Sequence, residues 1–481
     1  MVFSQPTFLF VFLPLVLGAY FLCPGRAKNL LLLFASLAFY AWGEVRHVAL
    51  IGASITANYG FGLWIGALKA RAATGRSAVG LAVALAVTFN LGLLFWFKYA
   101  GWLAELTGIG GGGGPFDPLE VALPIGISFF TFQALSYVID VGRGHVGVQR
   151  SPVRFGLYVS LFPQLIAGPI VRYSEIESRL EDRRVGLCDL ADGARRFVLG
   201  LAKKVLIADS LAGPADQIFG LGAVELSPAV AWFGALCYTL QIYFDFSGYS
   251  DMAIGLGRMF GFRFPENFRY PYASQSLTEF WRRWHITLSS WFRDYLYVPL
   301  GGNRRGRART LVNLGLVFLL CGAWHGAALT YVAWGLYHGG ILILERLGGG
   351  GLLQRLPRPL RHLWLMVVVV FGWVLFRATS WQGLQDMLAA MWGIQGAEAA
   401  GSWAAPLTMY LDAKTGLAMA IGAVLATPVY PWVLGLRARA TSSIAARGFD
   451  FVELCAAAAF GLLCAMSIAT DTFRPFLYFQ F

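Results

Sequence analysis

Charged side chains are scarce in this 481-residue sequence: only 13% of the residues are Asp, Glu, Lys or Arg, whereas 57% are hydrophobic. Soluble domains usually carry about 25% charged residues. The scarcity excludes an ordinary soluble protein, and many successive apolar stretches approach the ~20 residues that cross a bilayer. We therefore predict an all-α polytopic membrane protein that forms a single domain over residues 1–481.

Cysteine is also rare, with six residues and no C-x-x-C pair. This pattern predicts free, mostly buried thiols without a disulfide framework or zinc site. The histidines likewise lack H-x-x-H and H-E-x-x-H spacing. Two histidines would need a third ligand, so we expect no metal.

Acidic residues are outnumbered, which leaves a net charge of +12. The basic residues are scattered in short segments between apolar runs, which is typical of cytoplasmic membrane loops rather than of a nucleic-acid-binding surface. The positive-inside rule places the N-terminus outside and the 69–78 and 142–154 loops in the cytoplasm. The first apolar run lacks a basic n-region and a cleavage site, so we interpret it as a retained span.

Apolar runs predict where the membrane segments lie. Spans are predicted at residues 7–22, 29–42, 48–68, 79–97, 121–141, 362–376, 409–436 and 452–468. The run 155–171 should break at Pro163 and at Gly168-Pro169. Residues 198–211 are short and contain Lys203-Lys204, which favours an interfacial helix. Residues 473–481 are aromatic and interfacial in character, and the glycine-rich stretch 108–115 has no phosphate-loop signature and reads as a flexible exterior loop.

The long aromatic run 230–260 contains Asp245 and Asp251. Carboxylates in so apolar a segment are costly and usually functional. A second interpretation has equal weight: the two carboxylates cap a helix break at Ser247-Gly248.

The stretch from Ser276 to His325 organises the rest of the chain. If Glu279–Asp294 is one helix, Trp281, Trp284 and His285 share a face and the arginines lie opposite. A basic loop with Arg304, Arg305 and Arg307 follows. The run from Leu311 to Leu344 then has no charged residue, so it is two spans or one span broken at Cys321–Gly326.

His325 lies near the middle of this uncharged run. A histidine at such a position is expensive unless it has a function, although hydrogen bonding between helices is the structural alternative. Burial also favours the neutral imidazole that a general base requires. His285, 40 residues earlier, is weaker alone because it also suits simple packing. His338 is interpreted as structural.

The run from Glu279 to Gly302, EFWRRWHITLSSWFRDYLYVPLGG, with Trp324-His325-Gly326 downstream, resembles the membrane-bound O-acyltransferase family. The opening Met1-Val-Phe-Ser and the stretch from Tyr243 to Asp251 resemble its bacterial alginate O-acetyltransferase branch. The resemblance implies a ring of about eleven tilted transmembrane helices with re-entrant or interfacial helices around a central tunnel, and a catalytic core at about 230–345. It assigns His325 as catalytic and His285 as the second polar residue. Candidates that line the tunnel are Trp324, Asp245, Asp251, Trp281 and Trp284.

The same resemblance implies that an acetyl group from cytoplasmic acetyl-CoA crosses the bacterial inner membrane for O-acetylation of an exported polysaccharide. Alginate is the first expectation, with cellulose, peptidoglycan or another glycan as alternatives. The expected partners are acetyl-CoA as substrate, membrane lipid and periplasmic acetyltransferase or carrier proteins, with no bound cofactor. Arg304, Arg305 and Arg307 would attract the CoA phosphates or only anchor their loop. A transporter or flippase, and a scaffold for polysaccharide export, are competing functions of another class.

Overall fold

The computed structural model of the chain describes residues 1–71, 76–108, 122–394, 405–438, 443–470 and 474–477. All regular structure within these residues is helical, and they contain no strand. The predicted all-α class is therefore confirmed. The glycine-rich stretch 108–115 lies outside the described residues from residue 109 onward.

Contacts divide the chain into two compact units, which we describe separately. Unit 1 contains Met1–Phe197 and Ser250–Glu266, and unit 2 contains Val198–Tyr249 and Asn267–Phe481. The prediction of a single domain remains a prediction. The helices in chain order are α1 (Leu13–Leu22), α2 (Lys28–Gly43), α3 (Val48–Ala70), α4 (Arg76–Thr107), α5 (Ile127–Arg143), α6 (Pro152–Ser160), α7 (Phe162–Leu165), α8 (Tyr173–Glu181), α9 (Leu187–Ala202), α10 (Asp209–Phe219), α11 (Pro228–Met259), α12 (Leu277–Arg283), α13 (Ile286–Phe292), α14 (Arg307–His325), α15 (Leu329–Leu344), α16 (Gly350–Arg355), α17 (Arg358–Arg377), α18 (Trp381–Trp392), α19 (Ala413–Leu425), α20 (Val429–Ala438) and α21 (Ser443–Thr470).

Several helices have the length and composition of membrane spans. Among the described residues these are Val45–Ala70, Ser77–Thr107, Arg307–His325, Arg358–Arg377 and Arg447–Thr470, with Thr7–Leu22 and Ala413–Leu425 as shorter apolar helices. A multi-pass membrane protein is thus supported, whereas a count of about eleven spans is not confirmed. The predicted span 409–436 is divided into α19 and α20, since the chain is interrupted near Pro428.

In unit 1, the predicted break in residues 155–171 is present. Helix α6 ends at Ser160 and the four-residue α7 begins at Phe162, so Pro163 occupies the first turn of a new helix. That position tolerates proline because the first-turn N–H groups have no intrahelical acceptor. The Phe162 ring then packs edge-to-face against Phe12 and Phe260.

In unit 2, helix α11 begins at Pro228 and runs on to Met259, in unit 1, without a break. The interpretation of Asp245 and Asp251 as caps of a break at Ser247-Gly248 is therefore wrong. Gly248 instead permits a close helix approach: a Cβ there would lie 2.8 Å from the carbonyl oxygen of Gly200.

The assumption of one helix over Glu279–Asp294 is also wrong. The chain forms α12, leaves the helical conformation at Trp284 and His285, and forms α13. His285 has φ 42° and ψ 55°, one of two non-glycine residues with positive φ among those described. Such a conformation costs roughly 1–2 kcal/mol for an L-residue, so neighbouring contacts must hold it in place.

The uncharged run Leu311–Leu344 forms a hairpin of α14 and α15, and the break follows His325 as predicted. The two helices touch through glycines. A Cβ on Gly322 would overlap the carbonyl oxygen of Tyr331, and one on Gly335 would overlap that of Phe318. Glycine at both positions therefore lets the two backbones pack directly against each other.

Candidate active site

Unit 2 contains a small internal cavity of about 20 Å³. Its lining residues are mostly aromatic: Ile242, Asp245, Phe246, Trp284, His285, His325, Trp334, Trp373, Phe376 and Leu477. The cavity therefore brings together both sequence-predicted histidines and one predicted carboxylate. Its volume suits a group about the size of a water molecule, so only the reacting end of a substrate fits without movement of the lining.

His325 is the last residue of α14, where Gly326 continues the chain in an extended conformation. The residue is 7% exposed. Its imidazole is in edge-to-face contact with the rings of Trp334 and Phe376, each at a centroid distance of 5.1 Å. The ring is thus held by aromatic packing at the point where the helix stops and the cavity begins.

His285 is fixed by Asn267, which the sequence analysis did not select. The Nδ1 atom of His285 lies 3.1 Å from Oδ1 of Asn267. The backbone N–H and the hydroxyl of Thr287 donate to the same oxygen at 3.2 and 2.9 Å, and the N–H of Ile286 donates to the Asn267 carbonyl at 2.9 Å. One asparagine therefore holds both the ring and the strained backbone of His285.

These contacts also determine the tautomer of His285. A backbone N–H can only donate, so the Asn267 atom that it contacts must be the amide oxygen. The facing Nδ1 of His285 must then carry the proton, which puts the lone pair of the neutral ring on Nε2. Burial lowers the pKa of His285 to about 3, and this residue lies outside the candidate spans, so the ring is neutral at physiological pH.

Trp324 borders both histidines. Its ring centroid lies 4.9 Å from that of His325 and 6.4 Å from that of His285. Trp284 lines the cavity and packs against Trp373 at 4.7 Å. Trp281 is not among the lining residues: it contacts Trp334 and His338, at 5.7 and 5.4 Å.

Asp245 belongs to a buried ionic cluster beside the cavity. Its Oδ1 lies 2.8 Å from Nζ of Lys204, which is also 2.6 Å from Oδ1 of Asp209. The Lys204 side chain is only 2% exposed, so it points into the interior of unit 2, and the interfacial position of residues 198–211 stays a prediction. A buried ammonium is tolerated here because two carboxylates compensate it.

The same cluster binds the segment Arg474–Leu477. The N–H of Leu477 donates to Oδ2 of Asp245 at 2.9 Å, and the Lys204 ammonium lies 4.7 Å from the centroid of the Phe476 ring. Phe476 is 1% exposed, so its ring packs inside unit 2, and the interfacial character of residues 473–481 stays a prediction. Its contacts place Leu477 on the cavity lining.

Asp251 lies in unit 1 and does not line the cavity. Its Oδ1 is 2.8 Å from Nε of Arg196, and Nη2 of the same guanidinium reaches Oε2 of Glu266 at 2.7 Å. These two carboxylates raise the pKa of Arg196 against the opposing effect of burial. The geometry is that of an ion-pair network joining parts of unit 1.

Arg304, Arg305 and Arg307 lie on the exposed turn that precedes α14 and at its first residue. The turn contains Gly301 and Gly306 at φ +107° and +84°. Within the described part of the chain, none of the three arginines has a carboxylate partner at ion-pair distance. They form a cationic surface outside the cavity.

Sequence reasoning missed the residues that support the histidines. Asn267 precedes the motif in a connection without helical periodicity, and Trp373 and Phe376 lie on α17, far along the chain. Lys204 was considered only as evidence for an interfacial helix over residues 198–211. The sequence did contain an indication that Lys204 is buried, since this residue lies in an apolar run that includes the carboxylate Asp209.

Comparison with known proteins identifies the family. The model described as "MBOAT, membrane-bound O-acyltransferase family" matches residues 143–384, about half of the chain. A probable alginate O-acetylase AlgI of Azotobacter vinelandii is 43% identical over 511 residues, covering 100% of both chains. The chain belongs to the membrane-bound O-acyltransferase family. The resemblance drawn from the two histidine motifs is thereby confirmed, as is the interpretation as an O-acyltransferase rather than a transporter or scaffold.

Two further similar proteins are named for other substrates. A peptidoglycan O-acetyltransferase of Helicobacter pylori is 37% identical over 433 residues, covering 82% of this chain and 80% of the relative. A teichoic acid D-alanyltransferase of Bacillus subtilis is 31% identical over 228 residues, covering 44% and 56%. His285 and His325 both lie within residues 143–384, the segment that the family model matches.

Proposed function

We propose that this O-acyltransferase transfers an acetyl group from cytoplasmic acetyl-CoA to an acceptor hydroxyl, with His325 as the general base. The observation that carries the proposal is the cavity that both His325 and His285 line in unit 2. Full-length similarity to a probable alginate O-acetylase supports acetyl as the acyl group.

In the proposed reaction, His325 accepts the proton of the acceptor hydroxyl as its oxygen attacks the thioester carbonyl carbon. A new C–O bond forms and a tetrahedral oxyanion results. The C–S bond then breaks, and the imidazolium returns its proton to the departing CoA thiolate. The transfer consumes no oxidant, reductant or metal, so acetyl ester and free CoA thiol are the only products.

His285 acts differently in this scheme. With the proton on Nδ1 directed at Asn267, its Nε2 accepts hydrogen bonds rather than donating them. It therefore suits the orientation of a donor such as the acceptor hydroxyl, and in its neutral form it does not stabilise an oxyanion. Asn267 is a positioning residue that sets this tautomer.

The cationic turn with Arg304, Arg305 and Arg307 is the proposed contact for the CoA phosphates. Guanidinium groups bind phosphate oxygens with paired, charge-assisted hydrogen bonds. All three side chains are exposed. The positive-inside rule predicts that their turn lies on the cytoplasmic side of the membrane. Their role as a membrane anchor and their role as a phosphate contact are compatible.

We propose alginate as the final acceptor, reached through a periplasmic acetyltransferase or carrier, with this enzyme in the bacterial inner membrane and its N-terminus in the periplasm. The support is the 43% identity to the Azotobacter vinelandii relative over the full length of both chains. A second candidate acceptor is peptidoglycan, favoured by the 37% identity to the Helicobacter pylori relative.

The test uses the full-length enzyme in proteoliposomes with radiolabelled acetyl-CoA and a hydroxyl acceptor. We expect His325→Ala to lower acetyl transfer by about 10²–10⁴-fold, while inserting normally. His145→Ala is the control, since this imidazole is 65% exposed on a unit 1 loop and should leave transfer unchanged. Full transfer by a normally inserted His325→Ala enzyme excludes the proposed base.

A further inference from the structure

Unit 1 contains a second, much larger cavity with a cationic lining. Its volume is about 920 Å³. Five cations border it, against the two carboxylates of Glu181 and Asp182. The cations are Arg26, Lys28, Arg150, Arg154 and Arg183. They come from three separate parts of the chain, so folding, and not one basic run, creates this charge.

The positive-inside rule explains why basic residues occur on this side of the membrane. It does not explain a cavity, because an orientation signal needs only exposed charge. Arg26 and Lys28 follow the first predicted span, and Arg150 and Arg154 follow the fifth. With the N-terminus outside, both groups fall on the predicted cytoplasmic side.

Arg183 lines the cavity as a cation whose hydrogen-bond partners carry no charge. Its Nε donates to the Tyr20 hydroxyl at 3.0 Å and its Nη1 to Oδ1 of Asn29 at 2.5 Å. Nε also donates to the Phe260 carbonyl at 3.1 Å, and Nη1 to the Arg179 carbonyl at 3.2 Å. All four partners are neutral. Within the described part of the chain, Nη2 is buried without a hydrogen-bond acceptor, and no carboxylate pairs with this guanidinium. A partly buried cation without a counter-charge is unfavourable unless an anion binds beside it.

The cavity is also built from restrained side chains. The Arg183 guanidinium stacks over Phe262 at 4.5 Å, and the Lys28 ammonium lies 4.5 Å from the centroid of Tyr20. The carbonyl of Arg150 accepts a hydrogen bond from the Tyr59 hydroxyl at 2.7 Å. These contacts hold cations near one another before any ligand arrives, which lowers the ordering cost of binding.

Exposed apolar side chains adjoin the cationic residues. Leu30 lines the cavity and is 43% exposed, and Phe21 and Leu22, at the end of α1, are 44% and 89% exposed. A soluble phosphate compound would contact only the cations. A lipid with a phosphate headgroup and acyl chains would contact both the cations and the apolar side chains. Basic pockets beside membrane helices on the cytoplasmic side are a recurrent mode of anionic headgroup binding.

We propose that this cavity binds the phosphate headgroup of an anionic phospholipid, with Arg183 and Arg150 near the phosphate and the acyl chains along α1. The site lies in unit 1 and is independent of the proposed acetyl transfer. It converts a general affinity for membrane into a defined lipid site.

The test titrates the purified full-length chain in detergent with palmitoyl-oleoyl phosphatidylglycerol, and separately with phosphatidylcholine of the same acyl chains, and counts bound lipids by native mass spectrometry. We expect phosphatidylglycerol to bind at least about tenfold more tightly. Each removed cation should cost about fivefold in affinity. The double variant Arg26→Gln and Arg150→Gln should therefore bind about 25-fold more weakly, and it spares the Arg183 contacts that stabilise the fold.

The matched control removes two exposed arginines elsewhere, Arg355→Gln and Arg358→Gln, and should retain wild-type affinity. Equal binding of the two lipids overturns the proposal, as does an equal loss in the cavity and control variants. A third arm adds sn-glycerol 3-phosphate. If this soluble compound binds as tightly as phosphatidylglycerol, the site recognises a free phosphate and the lipid proposal fails.

Discussion

At the scale of single residues, Asn267 explains how a strained histidine is held in the candidate site. Non-glycine residues at positive φ are uncommon and often lie at functional sites. At His285 the cost is offset by contacts from one side chain and its carbonyl, at 3.1 and 2.9 Å. The amide both holds the backbone and selects the ring nitrogen that presents a lone pair.

This arrangement predicts the effect of Asn267→Asp on the pH profile. In the wild type, burial lowers the pKa of His285 to about 3, so His285 contributes no acid limb at pH 5–8. A neighbouring carboxylate favours the imidazolium and raises this pKa. We expect kcat/KM of the variant to fall as pH drops through the raised value, because protonated Nε2 can no longer accept a hydrogen bond.

Asn58→Asp supplies the control, since Asn58 is equally buried but bonds to Asn90 in unit 1. It should show no new acid limb. A flat profile for folded Asn267→Asp enzyme would remove His285 from the reaction.

At the scale of elements, the α14–α15 hairpin sets the position of His325. We predict that Gly322→Ala destabilises the protein by about 1–3 kcal/mol, because the added Cβ overlaps the Tyr331 carbonyl oxygen. It should also reduce acetyl transfer by displacing the end of α14. Thermal unfolding in detergent and acetyl transfer are the measurements.

Gly340→Ala tests the same change on α15, where no atom from a neighbouring element lies within 4 Å of the new Cβ. We expect it to be neutral or stabilising by roughly 0.5–1 kcal/mol. Equal effects of the two substitutions contradict direct helix contact through glycine.

The buried cluster of Lys204, Asp209 and Asp245 supports a second element-scale prediction. Asp245→Ala should cost about 3–5 kcal/mol, because it removes one counter-charge of a buried ammonium and frees the N–H of Leu477. Lys204→Met combined with Asp245→Leu should be less destabilised than either single variant, since both charges of the most buried pair are removed together and only the partly exposed Asp209 remains. A double-mutant cycle from thermal unfolding checks this, and strictly additive losses argue against coupling.

At the scale of the whole molecule, the distribution of exposed charge predicts where the proposed donor, acetyl-CoA, binds. We expect Arg304→Gln with Arg305→Gln to raise KM for acetyl-CoA roughly tenfold, with kcat little changed, since both residues lie outside the cavity. The effect should shrink at high ionic strength because salt screens exposed charges. Arg355→Gln with Arg358→Gln is the matched control, and an unchanged KM in the first pair assigns the turn to anchoring alone.

Orientation is a separate whole-molecule prediction. After replacement of the exposed Cys188 and Cys455, Val45→Cys should react with a membrane-impermeant maleimide added from the periplasmic side. Arg71→Cys should react only after the membrane is opened, because the 69–78 loop is predicted to be cytoplasmic. The reverse labelling pattern inverts the topology and moves the proposed donor site to the other face.

The sequence by itself determined the membrane class, the positions of most spans and the two histidine motifs. Hydropathy and charge bias are properties of consecutive residues, so they can be read from the sequence without knowing the fold. The break after His325 was predictable for the same reason, since two glycines flank the tryptophan–histidine pair within one uncharged run.

Tertiary structure alone decided the break at His285, the partner of its Nδ1 and the pairing of Lys204 with Asp245. No local period marks a contact between Asn267 and a ring 18 residues later, or between Asp245 and a segment 232 residues later. Asp251 is a similar case. Its sequence neighbours suggested that it lines the cavity, whereas in the structure it pairs with Arg196 in unit 1. Such contacts depend on which helices pack together, and packing is fixed by side-chain shape and charge compensation across the fold rather than by the composition of any one stretch.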